Sequence, residues 1–304
     1  MTATRAPYRS LSSWLKKRFG EPVRKINLDA GLGCPNRDGT LGSEGCIYCN
    51  PRGSGTGALS RGVTLGGQVD QGIAFLSRRY KCRKFIAYFQ SFTNTYAPPE
   101  HLAAIYRESL ERPDVVGLAV GTRPDCVPDP ILDVLAETAR DRLVWVEYGL
   151  QSVHDGTLRL INRGHAGDAF FDAVSRTRQR GILVVAHLIL GLPGESVDDM
   201  LETAKAVNES GVWGVKLHPL YVVRGTALER MFDEGKYTPL TQEEAEEATL
   251  AVMEELSPEM VIHRMTSDPH REELAAPLWM LDRRQVRTHL EETMIRTRFR
   301  QGSR

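Results

Sequence analysis

Six short runs of β-forming residues alternate with five amphipathic helical patterns, and no other feature restricts the fold of this chain as much. The β-like runs cover residues 23–29, 84–90, 116–122, 143–151, 182–191 and 214–221. Apolar residues recur at helical spacing across 68–80, 99–111, 131–140, 168–180 and 197–210. Strand and helix in turn build a parallel sheet with right-handed crossovers. Six units are too few to close an eight-fold barrel. The expected class is therefore α/β, a partial (β/α)6 TIM-like barrel with a small C-terminal appendage. The expected boundaries are a basic N-terminal segment at 1–22, the barrel at 23–228 and an appendage, acidic then basic, at 229–304. A chain of 304 residues with 41% hydrophobic content can bury such a core.

The loop after the first run carries three cysteines, Cys34, Cys46 and Cys49, in the stretch GLGCPNRDGTLGSEGCIYCN. Three thiolates from one loop can hold three irons of a [4Fe–4S] cluster and leave the fourth iron open to a small molecule. Cys46-x2-Cys49 also fits half of a structural zinc site, but no second CxxC or HxxxH follows. Disulfides fit poorly, because the chain has five cysteines and its N-terminus lacks a secretory pattern. On spacing alone, an open-iron cluster, a zinc site and no metal all remain readings. Only Cys82 and Cys126 are left over, too few for a second cluster.

Chemistry in barrels of this kind gathers at the C-terminal ends of the strands. Polar or glycine-containing signatures follow the runs in order: the cysteine loop, then 90–96, 121–126, 147–152, 187–195 and 216–219. Glu147 is an acid in an apolar strand, expensive to bury unless paired or ligand-bound. It reads as ligand-facing, with a structural ion pair as the alternative. His187 and His218 read equally well as satisfied core histidines. Arg123 would clamp a carboxylate or pair with Asp125. Cys126, at a strand end, is a candidate hydrogen donor or covalent partner, against a structural role.

Taken together, these residues resemble the radical S-adenosylmethionine (radical SAM) enzymes. The resemblance is to the YhcC/YtqA-type branch, which is related to the radical domain of the Elongator catalytic subunit. It rests on residues 25–31, Cys34-Pro35-Asn36-Arg37-Asp38-Gly39-Thr40, Cys46-x2-Cys49, 88–96, 121–126, 147–152, Asn162-Arg163-Gly164-His165 and 191–195. Two departures from the superfamily's common pattern are visible. The first cysteine gap is eleven residues, and Gln90-Ser91 stand where Gly-Gly-Glu is usual. The resemblance implies that Cys34, Cys46 and Cys49 bind a [4Fe–4S] cluster and that S-adenosylmethionine chelates its open iron. A reductant such as flavodoxin or ferredoxin would drive cleavage of the sulfonium to a 5′-deoxyadenosyl radical, which abstracts hydrogen from a substrate. By the same analogy Gln90, Arg123, Glu147, Gln151 and Gly191 contact the cofactor, while Arg163 and His165 lie near its carboxylate or the substrate.

The formal net charge is zero, so bulk electrostatics single out no partner. The distribution is uneven. Arg5, Arg9, Lys16, Lys17, Arg18, Arg24 and Lys25 crowd the start of the chain, and Arg283, Arg284, Arg287, Arg296, Arg298, Arg300 and Arg304 its end. If the fold joins the two ends they form one phosphate-binding face; otherwise they are solvated helix faces. With the Elongator kinship, this favours a tRNA wobble uridine with a C5 side chain as substrate, converting carboxymethylaminomethyl to aminomethyl. The alternatives are radical oxidation of a small metabolite or porphyrin, and a non-catalytic iron–sulfur interaction protein docking on a metabolic enzyme. The apolar stretch 182–192 is too short to span a bilayer, so no membrane role and a cytoplasmic location are expected.

Overall fold

The computed structural model describes residues 6–50, 53 and 58–304; Arg5, counted in the basic N-terminal segment, lies outside them. The chain opens with α1 (Leu11–Phe19) and β1 (Val23–Leu28). It continues through α2 (Leu65–Tyr80), β2 (Lys84–Phe89), α3 (Pro99–Ser109), β3 (Val115–Thr122), α4 (Asp129–Ala139) and β4 (Leu143–Gln151). Next come α5 (Asp155–Leu160), α6 (Asp168–Gln179), β5 (Leu183–Leu190), α7 (Val197–Ser210) and β6 (Gly214–Pro219). The last part holds β7 (Val222–Val223), α8 (Ala227–Asp233), α9 (Gln242–Glu255), β8 (Val261–Arg264), β9 (Leu274–Ala276) and α10 (Arg283–Arg296).

Seven strands form one parallel sheet in the order β1-β2-β3-β4-β5-β6-β8, curled into a half-barrel, and β7 and β9 pair separately and antiparallel. The sheet thus has one strand more than the six runs visible in the sequence. The extra strand, β8, comes from the stretch expected to be appendage. It is four residues long and reads VIHR, too short and too polar at its end to stand out as an apolar run.

Alternation along each strand separates two cores. Outward residues such as Ile26, Leu28, Phe85, Phe89, Leu118, Val146 and Tyr148 pack under the helices in the main core. Inward residues Ile86, Ala119, Trp145, Val185 and Val261 meet Leu11 and Leu15 of α1 in a second core. That core also includes Val23 and Leu143, the first residues of β1 and β4, so α1 seals the N-terminal end of the barrel. Ser10 caps α1 by accepting from the Ser13 amide, and Gly20 ends it with φ of 76°. The helix packs against both edge strands, β1 and β8, and just before it Ser10 pairs with Ile262. It therefore covers edges that a partial barrel would otherwise leave open. Fully burying a residue such as Leu15 contributes about 2 kcal/mol.

The two basic ends do meet. The Gln301 amide donates to Pro7 O at 3.0 Å, and Gln301 Oε1 accepts from the Arg9 amide at 3.0 Å. Part of their charge is spent locally, since Arg9 pairs with Glu259, Arg287 with Glu291 and Arg304 with Glu254. Lys16, Lys17 and Arg18 remain exposed on α1. Among the described residues, no helix is long and apolar enough to cross a membrane.

Candidate active site

The cysteine loop leaves β1 at the C-terminal end of the sheet. Its own backbone folds it tightly: Leu41 N donates to Pro35 O (2.7 Å), Gly45 N to Asn36 O (2.8 Å) and Cys49 N to Cys46 O (2.9 Å). Gly45 has φ of 73°, and a Cβ there would strike the Arg37 guanidinium, which itself donates to Cys49 O at 2.5 Å. Cys34, Cys46 and Cys49 are all free thiols. Burial first, then the neighbouring Cys46 and Cys34, push the Cys49 thiol above its usual range. Cys46 and Cys34 thus both disfavour a thiolate at Cys49, a cost that a bound cation relieves.

A second segment, residues 161–165, braces this loop from beneath. Asn36 Nδ2 donates to Asn162 O (2.6 Å), Asn162 Nδ2 to Gly45 O (2.7 Å) and Ile47 N to Ile161 O (3.1 Å). Arg163 lies between β4 and the loop: one guanidinium nitrogen donates to Gly149 O at 2.7 Å, and the other is 3.7 Å from Cys46 Sγ. Asn36 Nδ2 approaches the same sulfur at 3.8 Å. Arg123, paired bidentately with Asp125 at 2.9 and 2.8 Å, donates to Arg163 O at 2.7 Å. Gly164, at φ of 75°, lets the chain pass where a Cβ would press on Asn36 and Arg123. In this arrangement Arg163 turns a cation toward one thiol of the cysteine loop, and Arg123 holds the Arg163 backbone behind it.

The remaining expected site residues have different surroundings. Gln90 sits half-buried just past β2. Gln151 has φ of 76° where the β4–β5 register shifts, a strained position of the kind found at functional sites. Cys126 is half-buried, with Sγ 3.8 Å from Asp125 Oδ1. Burial and Asp125 push its thiol up to about 12, which suits a neutral hydrogen donor better than a thiolate nucleophile. Burial and Arg163 lower His165 to about 3, so its ring is neutral at pH 7. At Gly191 a Cβ would collide with Leu240, and its carbonyl accepts from Tyr237 Oη at 3.0 Å. Its missing side chain makes room for the C-terminal region.

Glu147 is not at the rim. Its carboxylate is fully buried at the centre of the barrel and has protein partners on both oxygens. Oε2 accepts from Tyr88 Oη (2.8 Å), His187 Nε2 (2.8 Å) and Lys216 Nζ (2.7 Å), and Oε1 from Trp145 Nε1 (2.9 Å). Lys25 Nζ lies 3.7 Å and His263 Nδ1 3.8 Å from Oε1. Burial would raise this carboxyl; Lys216 and Lys25 outweigh it and hold the group well below the usual carboxylate range. This geometry matches the ion-pair alternative for Glu147, and none of it points to cofactor contact. Lys25, Tyr88, Lys216 and His263 had not been marked as site residues. The available signal was a charged residue at an inward strand position, as at Lys25 and Lys216.

The donor set fits a cluster-bound cofactor. Three free thiols come from one loop, with the Arg37 and Arg163 cations beside Cys49 and Cys46. Around the strand ends, the buried atoms Tyr48 Oη, Ser91 Oγ, Thr93 Oγ1, Asn94 Oδ1, His165 Nε2 and His218 Nε2 have no hydrogen-bond partner among the described residues. So many orphaned polar atoms at one end of a barrel call for a polar ligand.

Comparison with known proteins agrees. The model of the radical SAM superfamily matches residues 31–207, and that of the radical SAM C-terminal domain matches 212–296. The chain is 41% identical to the YtqA protein of Bacillus subtilis (strain 168) over 283 residues, covering 93% of this chain and 88% of that one. It is 35% identical over 127 residues to a tRNA uridine(34) acetyltransferase of Dehalococcoides mccartyi (strain CBDB1), covering 41% of this chain and 27% of the relative. Among solved structures it is similar in fold to the Elp3 of Methanocaldococcus infernus lacking its N-terminus. The TM-score is 0.72 and the identity 18%, over 92% of this chain and 64% of the other.

Proposed function

The chain belongs to the radical SAM superfamily, and from that premise we propose that it acts on a tRNA wobble uridine, converting a carboxymethylaminomethyl group at C5 to aminomethyl. The family uses a [4Fe–4S] cluster and S-adenosylmethionine. Cys34, Cys46 and Cys49 would hold that cluster, with Gln90 and Gln151 facing the cofactor. When bound, the two groups together supply an electron-driven carbon radical that abstracts hydrogen from an unactivated position.

The chain's own residues do the rest. Asn36, Asn162 and Arg163 fix the thiol loop, and Arg163 offers a charged donor to the Cys46 sulfur. The Cys126 thiol and His165 ring, both neutral at pH 7, would serve the substrate without adding charge. α1 and the inward aromatic core close the far end of the barrel, keeping water from the radical site.

The observation that carries the enzymatic reading is the three-thiol loop braced by the buried Arg163. Support for tRNA comes from the wobble-uridine relative and from the meeting of the two basic ends. The test is mass spectrometry of tRNA nucleosides from a strain lacking the gene. The expected result is accumulation of carboxymethylaminomethyl uridines and loss of aminomethyl descendants. An unchanged nucleoside profile would remove tRNA as the substrate.

A further inference from the structure

The inward face of the half-barrel sets two lysines against one carboxylate. Lys25 from β1 and Lys216 from β6 both form salt bridges to Glu147 alone among the described residues, at 3.7 and 2.7 Å. Glu147 is fully buried and Lys216 is 4% exposed. Both ammonium groups also lie over the Tyr88 ring, at 4.3 and 4.6 Å. Buried charges are ordinarily compensated. Burial pushes both lysines down, Lys216 the further, and the two share one carboxylate, so a second acid group would stabilise the charged form of the more exposed Lys25.

Lys25 faces an opening. The Lys25 side chain keeps 22% of its exposure, and Asn27, next on the same face toward the cysteine loop, is exposed. Across from it, His187 is bonded to Glu147, and its ring lies 5.2 Å from that of His218. His218 Nε2 is buried and has no partner among the described residues. Burial keeps both rings neutral at pH 7; the one N–H of His187 is taken by Glu147, and His218 has one to offer.

We propose that the barrel interior below the cysteine loop is a carboxylate site, in which Lys25 pairs with an acid group of the substrate and His218 donates a second hydrogen bond. The Lys216–Glu147–Tyr88 network is its floor. A charge-assisted contact of this kind selects a substrate that carries a carboxylate over one that does not. This deepens the proposed function and rests on its placing the substrate inside the barrel mouth. The same chemistry would accept the acid of a carboxymethylaminomethyl uridine or a propionate of a porphyrin.

Binding to the anaerobically reconstituted holoenzyme separates these cases. The probes are an anticodon stem-loop bearing carboxymethylaminomethyl uridine and its methyl ester, and coproporphyrin III and its tetra-amide. The wild type is expected to prefer the acid over its neutral counterpart in one probe pair by about tenfold. Lys25→Met should reduce the preference to about threefold or less, and Lys25→Arg should retain it. Iron content and a circular dichroism melt check that each variant is folded. Preference confined to the stem-loop supports both the site and the tRNA reading. Preference confined to the porphyrin keeps the site and overturns the tRNA reading. Equal binding of acid and neutral forms in both pairs overturns the site, as does a full preference in Lys25→Met; the first comparison needs no variant.

Discussion

Replacing Glu147 with glutamine keeps the side chain's shape and removes its charge, which isolates what the carboxylate does in the barrel. Lys216 Nζ, 2.7 Å away, then loses its nearest counter-charge while remaining buried. It has two courses: to stay charged and unpaired, or to release its proton. The second sets a ceiling on the damage. From a reference pKa of about 10.4, deprotonation costs about 4.6 kcal/mol at pH 7 and about 1.9 kcal/mol at pH 9. Breaking a buried pair by removing one partner costs about 3–5 kcal/mol, which falls at this ceiling. The expected loss of stability is therefore about 4 kcal/mol at pH 7, narrowing to about 2 kcal/mol at pH 9. Glu147 itself does not confound the comparison. Its folded pKa is depressed, so its contribution is fully present above its unfolded pKa and is lost only as pH falls through the folded value. Urea unfolding of the apoprotein, followed by fluorescence of Trp145 and Trp213 beside the network, measures the gap. The double variant Glu147→Gln/Lys216→Met should recover at least half of the loss. A gap below about 1 kcal/mol at pH 7, or one that does not narrow by pH 9, would refute the reasoning.

Four further outcomes are expected. Cys34→Ala, Cys46→Ala and Cys49→Ala should each abolish a cluster of about four irons after anaerobic reconstitution, read by iron analysis; zinc in place of iron would contradict this. Arg163→Met should retain iron but lower the cluster's reduction potential by about 50–190 mV, the range for a unit charge at 3.7 Å between water and protein dielectrics, read by redox-poised electron paramagnetic resonance. His187 and His263 are lowered to about 4 by burial, so the unfolded chain binds more protons below its own histidine pKa near 6.5. Stability should be complete above that pH and fall toward pH 4 by about 1.4 kcal/mol per unit for each histidine, and His263→Phe should flatten the slope of a urea titration series. Neutralising Lys16, Lys17 and Arg18 should weaken tRNA binding and reduce its salt slope by about one unit per lost phosphate contact. Substrate-free cofactor cleavage should be unchanged, because α1 covers the end of the barrel away from the cysteine loop.

Much of this molecule is written in short-range patterns. The alternation of β runs and helical periods is read within windows of ten or so residues, and it determined a parallel, partly closed barrel. The spacing of Cys34, Cys46 and Cys49 determined a three-thiol loop at the strand ends and, with the neighbouring motifs, the family. What the sequence left open is set by sheet order, which joins residues far apart in the chain. Glu147 looked like a ligand-facing acid because its partners Lys25, Tyr88, Lys216 and His263 lie on four other strands. The reach of Arg163 to Cys46, 117 positions earlier, is invisible in the sequence because it depends on the cysteine loop and the segment after β4 lying side by side. That Leu240 fills the space beside Gly191 is likewise set by the tertiary fold. β8 was missed because four residues carry too little periodicity to stand out, and only the unpaired edge of β6 makes them a strand. Periodicity and spacing are local properties of the chain and so can be read from it. The compensation of a buried charge depends on which strands the fold makes neighbours, and that was decided only by the tertiary structure.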